Sequence, residues 1–366
     1  MTTSFARAEV TIDLDAIRHN LALLAAHAAS TGAATMAIVK ADAYGHGAVP
    51  VARAAVEAGA HWLGTCSAGE ALALRRAGIT VPLFSWLDTA DADFESAVAE
   101  GVDLGVSSLA ELERVAPLGA RVHLKIDTGL SRNGCPPAEW PDLVRAAAAS
   151  KAEVVAIWSH FACADEPGHP SIELQAKRFQ VAYDIALEAG LNPLRHIANS
   201  AALLTRPDLH FDIVRPGIAM YGLNPVTQQE DLRPAMTFRS SVVSLKRVAA
   251  GESVSYGHTW TASQDTNLAL VPAGYADGVP RLLSGRMDVW LDGKRRPVVG
   301  RVCMDQLMVD CGNDTPAVGS EVLLFGTGEK GEPTAREWAD TLGTIDYEIV
   351  TSMYRPRVTR RYLGVR

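Results

Sequence analysis

The chain has 366 residues, 48% of them hydrophobic and 21% charged, an ordinary globular composition that excludes a chain disordered as a whole. Its 34 Lys and Arg against 42 Asp and Glu give a net charge of −8, which argues against a general nucleic-acid or anionic-membrane binder. No uncharged apolar run reaches the roughly 18 residues of a spanning helix.

The N-terminal residues lack the apolar stretch of a secretory signal. Cys66, Cys135, Cys163, Cys303 and Cys311 are odd in number and scattered, with no CxxC pair. That pattern predicts reduced thiols in a cytoplasm, with neither a disulfide framework nor a metal site. The length predicts two or three domains, or one barrel with a smaller partner.

An amphipathic helix opens the pattern. Asp15 can cap it, and Ile17, Leu21 and Leu24 lie on one stripe. Strands then read near 35–40, 61–66, 81–87, 102–107, 121–127, 152–160, 194–199 and 211–215, with helical segments at 48–59, 67–77, 108–116, 136–150 and 171–189. Eight such strands predict a (β/α)8 TIM-type barrel over 1–235; an open doubly wound sheet shares the alternation. After 235 the pattern changes to Val-, Thr- and Leu-rich runs with Gly-marked turns. Leu291-Asp292-Gly293-Lys294 reads as a hairpin turn and 334–342 as one helix, so 236–366 is expected to be a β-rich C-terminal domain.

In a barrel, function collects where strands pass into the following loops. Those ends here carry Lys40, Lys125, Arg132, His160, Ser200 and Arg215. Such groups are expensive to bury without a purpose. Lys40 follows the buried-looking run Ala37-Ile38-Val39, and burial lowers an amine's pKa and frees it for imine chemistry. The alternative is a lysine whose ammonium reaches solvent. Ser200 with Gly217 and Ile218 lies at the usual phosphate corner of a barrel, although Ser200 also reads as a helix N-cap for 201–204. Tyr44 can offer a phenol to a phosphate.

The strings VKADAYGHG, KIDTGLSRNG, SHFACADE, HIANSAALL, VRPGIAMYGL, VSYGHTW, GYADGVPR and GRVCMDQ resemble, in order, the blocks of the alanine racemases, which use pyridoxal 5′-phosphate. The resemblance implies interconversion of L- and D-alanine by two-base proton transfer at Cα of the cofactor aldimine, supplying D-alanine for peptidoglycan. Lys40 would hold the cofactor and serve one face of Cα, and Tyr256, donated by the other subunit of a homodimer, would serve the opposite face. Tyr44, Ser200, Gly217, Ile218 and Tyr354 would hold the phosphate, Arg215 would face the pyridine nitrogen, and His160 would pack on the ring and link Tyr256 to Arg215. Arg132 and the Met304 amide would meet the substrate carboxylate, Tyr275 and Asp305 would narrow the access path, and Lys125 matches a position carbamylated in some members.

The segment 351–358 matches the family pattern only loosely, and Asp42 stands where many members carry Asn. A racemase of wider substrate range is the alternative within the enzyme class, because a methyl or hydroxyl difference is worth only a few kcal/mol at best. A non-enzymatic pyridoxal phosphate carrier on a similar barrel, or a related barrel decarboxylase, would lack the β-rich domain with Tyr256 or would want a carboxylate where Arg215 sits.

Overall fold

The computed structural model describes residues 7–227 and 230–366. Two compact units emerge among the described residues: one holds Ala16–Ala43 and Gly47–Arg233, the other residues 7–15, Tyr44–His46 and Pro234–Arg366.

The first unit is an eight-stranded parallel sheet. Its strands are Ala34–Ile38, Trp62–Thr65, Leu83–Ser85, Val102–Val106, Arg121–Lys125, Glu153–Trp158, Leu194–His196 and Ile213–Val214. Seven fall inside the segments read from sequence, and the first begins one residue earlier, at Ala34. The last strand pairs with the first, and the remaining seam is bridged at Asn199 and Arg215, with the Arg215 amide donating to Ala198 O at 2.9 Å. The sheet is thus a barrel, nearly closed by strands too short to span the seam with a full ladder.

Helices alternate with the strands, including Ala48–Glu57, Ala68–Arg76, Leu109–Val115, Trp140–Ala149 and Pro170–Glu188. A short helix at Phe94–Ala99, capped by Asp93, was not anticipated. The opening helix spans Leu14–Ala29, and its Ile17, Leu21 and Leu24 are fully buried. Its cap is Asp13 rather than Asp15: Asp13 Oδ1 accepts from the Asp15 amide at 2.9 Å. Asp15 sits inside the first turn, where a carboxylate meets the positive end of the helix dipole.

The second unit is a nine-stranded sheet. From one edge it runs Ser244–Val248, Thr266–Val271, Leu307–Asp310, Lys294–Val299, Asp288–Leu291, Glu321–Phe325, Met236–Ser241, Glu9–Asp13 and Thr359–Leu363. The hairpin at 291–294 turns through Asp292 and Gly293, both with positive φ (49° and 82°), as a two-residue hairpin requires. The helix Ala335–Leu342 starts on a Thr334–Glu337 capping box, and a second helix, Asp346–Thr351, follows. Glu9–Asp13 corrects the reading that assigned residues 1–235 to the barrel: it pairs antiparallel with Met236–Ser241 and parallel with Thr359–Leu363. Among the described residues no helix is long and apolar enough to cross a membrane.

Candidate active site

The chain leaves the first barrel strand and reaches Lys40 after one residue. The next four residues, Ala41, Asp42, Ala43 and Tyr44, all take left-handed conformations with φ between 51° and 53°. None is glycine, and each such residue costs about 1–2 kcal/mol. Local bonds hold the turn. The Ala41 amide donates to Glu70 Oε1 at 2.8 Å, and Asp42 Oδ1 accepts from the Ala48 amide at 2.8 Å. The other oxygen of Glu70 accepts from the Cys66 amide at 2.7 Å, so one carboxylate ties the Lys40 turn to the end of the second barrel strand.

Lys40 is half-buried, its Nζ 5.6 Å from the centre of the Trp86 ring. Its pKa is lowered, first by burial and then by the charges of Arg132 and Arg215, against the opposing pull of Cys66 and Glu70. Lys125 points into the same barrel end, 5% exposed and 4.2 Å over Trp158. Burial, Arg215 and Arg132 bring its pKa down to about 8.

Arg215 is 5% exposed and pairs with no carboxylate among the described residues. Its Nη2 donates to Ser159 O at 2.8 Å, Ile197 O at 3.2 Å and His160 Nδ1 at 3.0 Å, and its Nη1 donates to His196 Nδ1 at 3.1 Å. Burial lowers its pKa to about 9. A guanidinium has no acceptor, so both histidine nitrogens that it meets must be unprotonated. His160 is held neutral by burial and by the Arg215 charge.

The phosphate corner differs from the sequence reading in one respect. Asn199, not Ser200, caps the helix Ser200–Thr205, its Oδ1 accepting from the Ala202 amide at 3.0 Å. Ser200 Oγ is released from that duty and accepts from the Gly217 amide at 2.8 Å and the Ala219 amide at 3.4 Å. Ile218 follows Gly217 and is buried. Hydroxyl and amides converge where the eighth strand ends, a donor set suited to a phosphate.

Tyr44 belongs to the second unit, is 8% exposed and lies 6.0 Å from Tyr347, ring to ring. A Cβ on the adjoining Gly45 would come within 2.5 Å of Val350 O, so only glycine fits there.

Tyr256 also lies in the second unit and is 72% exposed. It stands on a bent segment, between Ser255 (φ 67°) and Gly257 (φ 73°), anchored by Ser255 Oγ donating to Arg301 O at 2.8 Å. Tyr275, Met304 and Asp305 share one pair of loops: the Tyr275 amide donates to Cys303 O and the Ala276 amide to Met304 O, both at 3.0 Å. A Cβ on Gly274 would approach Cys303 O to 2.3 Å, which fixes glycine in that contact. Asp305 Oδ1 accepts from Arg357 at 2.7 Å. Tyr354 is exposed, with the Arg360 guanidinium 5.0 Å from its ring centre.

The barrel end thus gathers Lys40, Lys125, Arg132, His160, Ser200, Arg215, Gly217 and Ile218. Tyr44, Tyr256, Tyr275, Met304, Asp305 and Tyr354 stand in the second unit. Sequence reasoning missed Glu70, Trp86, Trp158 and the histidines inside the barrel. The one available signal was polar residues alternating with apolar ones inside barrel strands, as at His123 and Lys125 in Arg121–Lys125.

Comparison with known proteins now decides the family. The family model described as alanine racemase, N-terminal domain, matches residues 12–225, and that described as alanine racemase, C-terminal domain, matches residues 235–362. The chain belongs to the alanine racemase family. It is 54% identical to the alanine racemase of Salinispora tropica over 98% of this chain and 99% of that protein. It is 52% identical to the alanine racemase of Thermobifida fusca over 98% of each chain. The crystal structure of alanine racemase from D-cycloserine-producing Streptomyces lavendulae superposes with a TM-score of 0.95 at 49% identity, covering 99% of this chain and 98% of that one. Alanine racemase from Streptomyces coelicolor A3(2) gives 0.94 at 50% identity over 98% of each chain.

The alanine racemases depend on pyridoxal 5′-phosphate. The residues present fit it: a lysine amine of lowered pKa for its aldehyde, the Ser200 hydroxyl held by the Gly217 and Ala219 amides at the phosphate corner, and a surplus of cations for its negative charge.

Proposed function

We propose that this protein interconverts L- and D-alanine, with Lys40 and Tyr256 as the two proton-transferring groups on opposite faces of Cα. The observation that carries the reading is the Lys40 amine, half-buried at the barrel end, its pKa lowered by burial and by Arg132 and Arg215. Pyridoxal 5′-phosphate, when bound, supplies the conjugated electron sink that acidifies the substrate Cα–H.

The chain's own groups do the rest. Lys40 would hold the cofactor, and the lowering of its pKa favours the free amine that can take the Cα proton. Arg132 and the Met304 amide orient the substrate carboxylate. Ser200 and the Gly217 and Ile218 amides, with Tyr44 and Tyr354, anchor the phosphate. Arg215 would face the pyridine nitrogen as a hydrogen-bond donor with no acceptor of its own, which would limit the charge that the ring can draw off Cα and favour rapid return of the proton. His160 accepts from Arg215 on Nδ1, so its Nε2–H is the group left to steady the Tyr256 oxygen. Tyr275 and Asp305 narrow the path to the site.

We infer a homodimer in which Tyr256 reaches the barrel of a second copy. The reading is supported by the exposure of Tyr256 at 72%, Leu282 at 73% and Met304 at 51% in the single chain. Large apolar side chains left in solvent mark a surface that another chain covers. The product, D-alanine, would feed peptidoglycan synthesis in the cytoplasm.

Deuterium wash-in at Cα from each alanine enantiomer tests the assignment, comparing wild type with Lys40→Ala and Tyr256→Phe. The two variants are expected to show opposite enantiomeric deficits. Equal loss of both exchanges in both variants would refute the division of faces.

A further inference from the structure

A hydrogen-bonded line runs through the barrel interior from its N-terminal to its C-terminal end. Arg121, the first residue of its strand, donates from Nη1 to the exposed Glu153 at 2.7 Å and from Nε to Asp103 Oδ1 at 2.8 Å. Asp103 Oδ2 lies 3.2 Å from His123 Nε2, His123 Nδ1 lies 2.9 Å from His196 Nε2, and His196 Nδ1 lies 3.1 Å from Arg215 Nη1. Asp103 is 1% exposed, and both histidines are fully buried. Phe84 stacks on His123 at 4.1 Å and Trp158 on His196 at 5.7 Å. Barrel interiors are normally filled by branched aliphatic side chains, so three linked polar groups there need a reason.

With both rings neutral, one arrangement of protons satisfies every link. Arg215 donates only, so His196 Nδ1 accepts and His196 carries its proton on Nε2. That proton points at His123 Nδ1, so His123 carries its own on Nε2 and gives it to Asp103, which accepts only. The polarity is fixed at both ends, by a carboxylate and by a guanidinium. The guanidinium's Nη2 has three acceptors, while His196 is the acceptor that holds Nη1. Losing this bond would let the plane of the guanidinium turn.

We propose that Asp103 is a positioning residue that acts through the Nε2–H tautomers of His123 and His196 to hold the Arg215 guanidinium in a fixed orientation. The tautomers stand independently of the reaction. Their consequence for catalysis rests on the reading of Arg215 as the group that faces the cofactor ring.

The test is ¹⁵N NMR of histidine-labelled holoenzyme. In wild type near neutral pH, His123 and His196 are expected to be neutral, with Nε2 protonated and Nδ1 bare. In Asp103→Leu the two His196 ring nitrogens are expected to move toward averaged values, and kcat is expected to fall about tenfold, with KM changing less than about twofold, as for a lost supporting hydrogen bond. Arg121→Gln leaves the Asp103–His123 bond in place and is expected to leave the resonances and kcat unchanged. Should Asp103→Leu fail to fold, His123→Leu breaks the same line and is read by the same His196 resonances. A His196 proton on Nδ1, a doubly protonated ring in wild type, or wild-type His196 resonances in the broken-line variant would overturn the proposal. Any of these in a fully active wild type would sink the relay alone. An inactive wild type with the expected tautomers would count against the racemase reading alone.

Discussion

Arg215 Nη2 lies 3.0 Å from His160 Nδ1 with no carboxylate between them, so a buried guanidinium holds a neutral imidazole by its unprotonated nitrogen. The remaining proton of that ring is then on Nε2. If Tyr256 of a second copy is what it meets, the active site is assembled from two chains. Lys40→Ala and Tyr256→Phe would then each be nearly inactive alone. Unfolding and refolding them together should restore about a quarter of wild-type activity, since half of the random dimers carry one intact site out of two. Activity assays on the refolded mixture check this, and no recovery above the separate variants contradicts it.

The fully buried His123 and His196 and the half-buried His160 give the fold a steep acid limit. Burial is the leading cause that lowers the pKa of His123, His160 and His196, and the Arg215 charge comes next for His160 and His196. In the unfolded chain each regains an ordinary value of about 6.5. Below that value the unfolded state binds more protons than the folded state, so stability present above about pH 6.5 is lost as pH falls toward the folded values. The limiting slope is about 4 kcal/mol per pH unit if all three count. Urea unfolding between about pH 8 and pH 5 measures it, and His123→Phe is expected to reduce the slope by about a third. A flat profile would show that these rings are protonated inside the fold.

Ser200 and Asn199 are neighbours with separable duties. Ser200→Ala removes the acceptor of the Gly217 and Ala219 amides and is expected to weaken cofactor binding about tenfold, the worth of one good hydrogen bond. Asn199→Ala removes the helix cap and is expected to cost about 1 kcal/mol of stability with cofactor affinity nearly unchanged. Cofactor titration and urea unfolding of both variants separate the two effects. The reverse pattern would return the cap to Ser200.

Lys125, with a pKa lowered to about 8 by burial and by Arg215 and Arg132, holds a useful share of free amine near neutral pH. A free amine adds carbon dioxide, and the resulting carbamate would place a negative charge among Lys40, Arg132 and Arg215. A ¹³C carbamate resonance is expected after equilibration with labelled bicarbonate, and it should vanish in Lys125→Ala. Identical spectra for the two proteins would leave Lys125 an unmodified cation.

Much of this was legible in the sequence, because barrel strands are short apolar runs that end in polar residues, and that boundary marks both the fold and its working end. Lys40, Ser200 and Arg215 each stood at such a boundary. What escaped depends on contacts between residues far apart in the chain. Glu9–Asp13 and Thr359–Leu363 mix charged with apolar residues and become strands only by pairing with each other and with Met236–Ser241. Asp103, His123 and His196 come from three strands and form one line only after the barrel closes. Asn199 and Ser200 are both good caps, and backbone geometry, absent from the letters, chose between them.

The central claim is that the cofactor is carried on the amine of Lys40. Borohydride fixes such a cofactor permanently on the amine that bears it, and proteolysis with mass analysis locates it. The account predicts one modified peptide, containing Lys40, and no such peptide from Lys40→Ala. Modification at Lys125 or any other lysine, with Lys40 unlabelled, would contradict it.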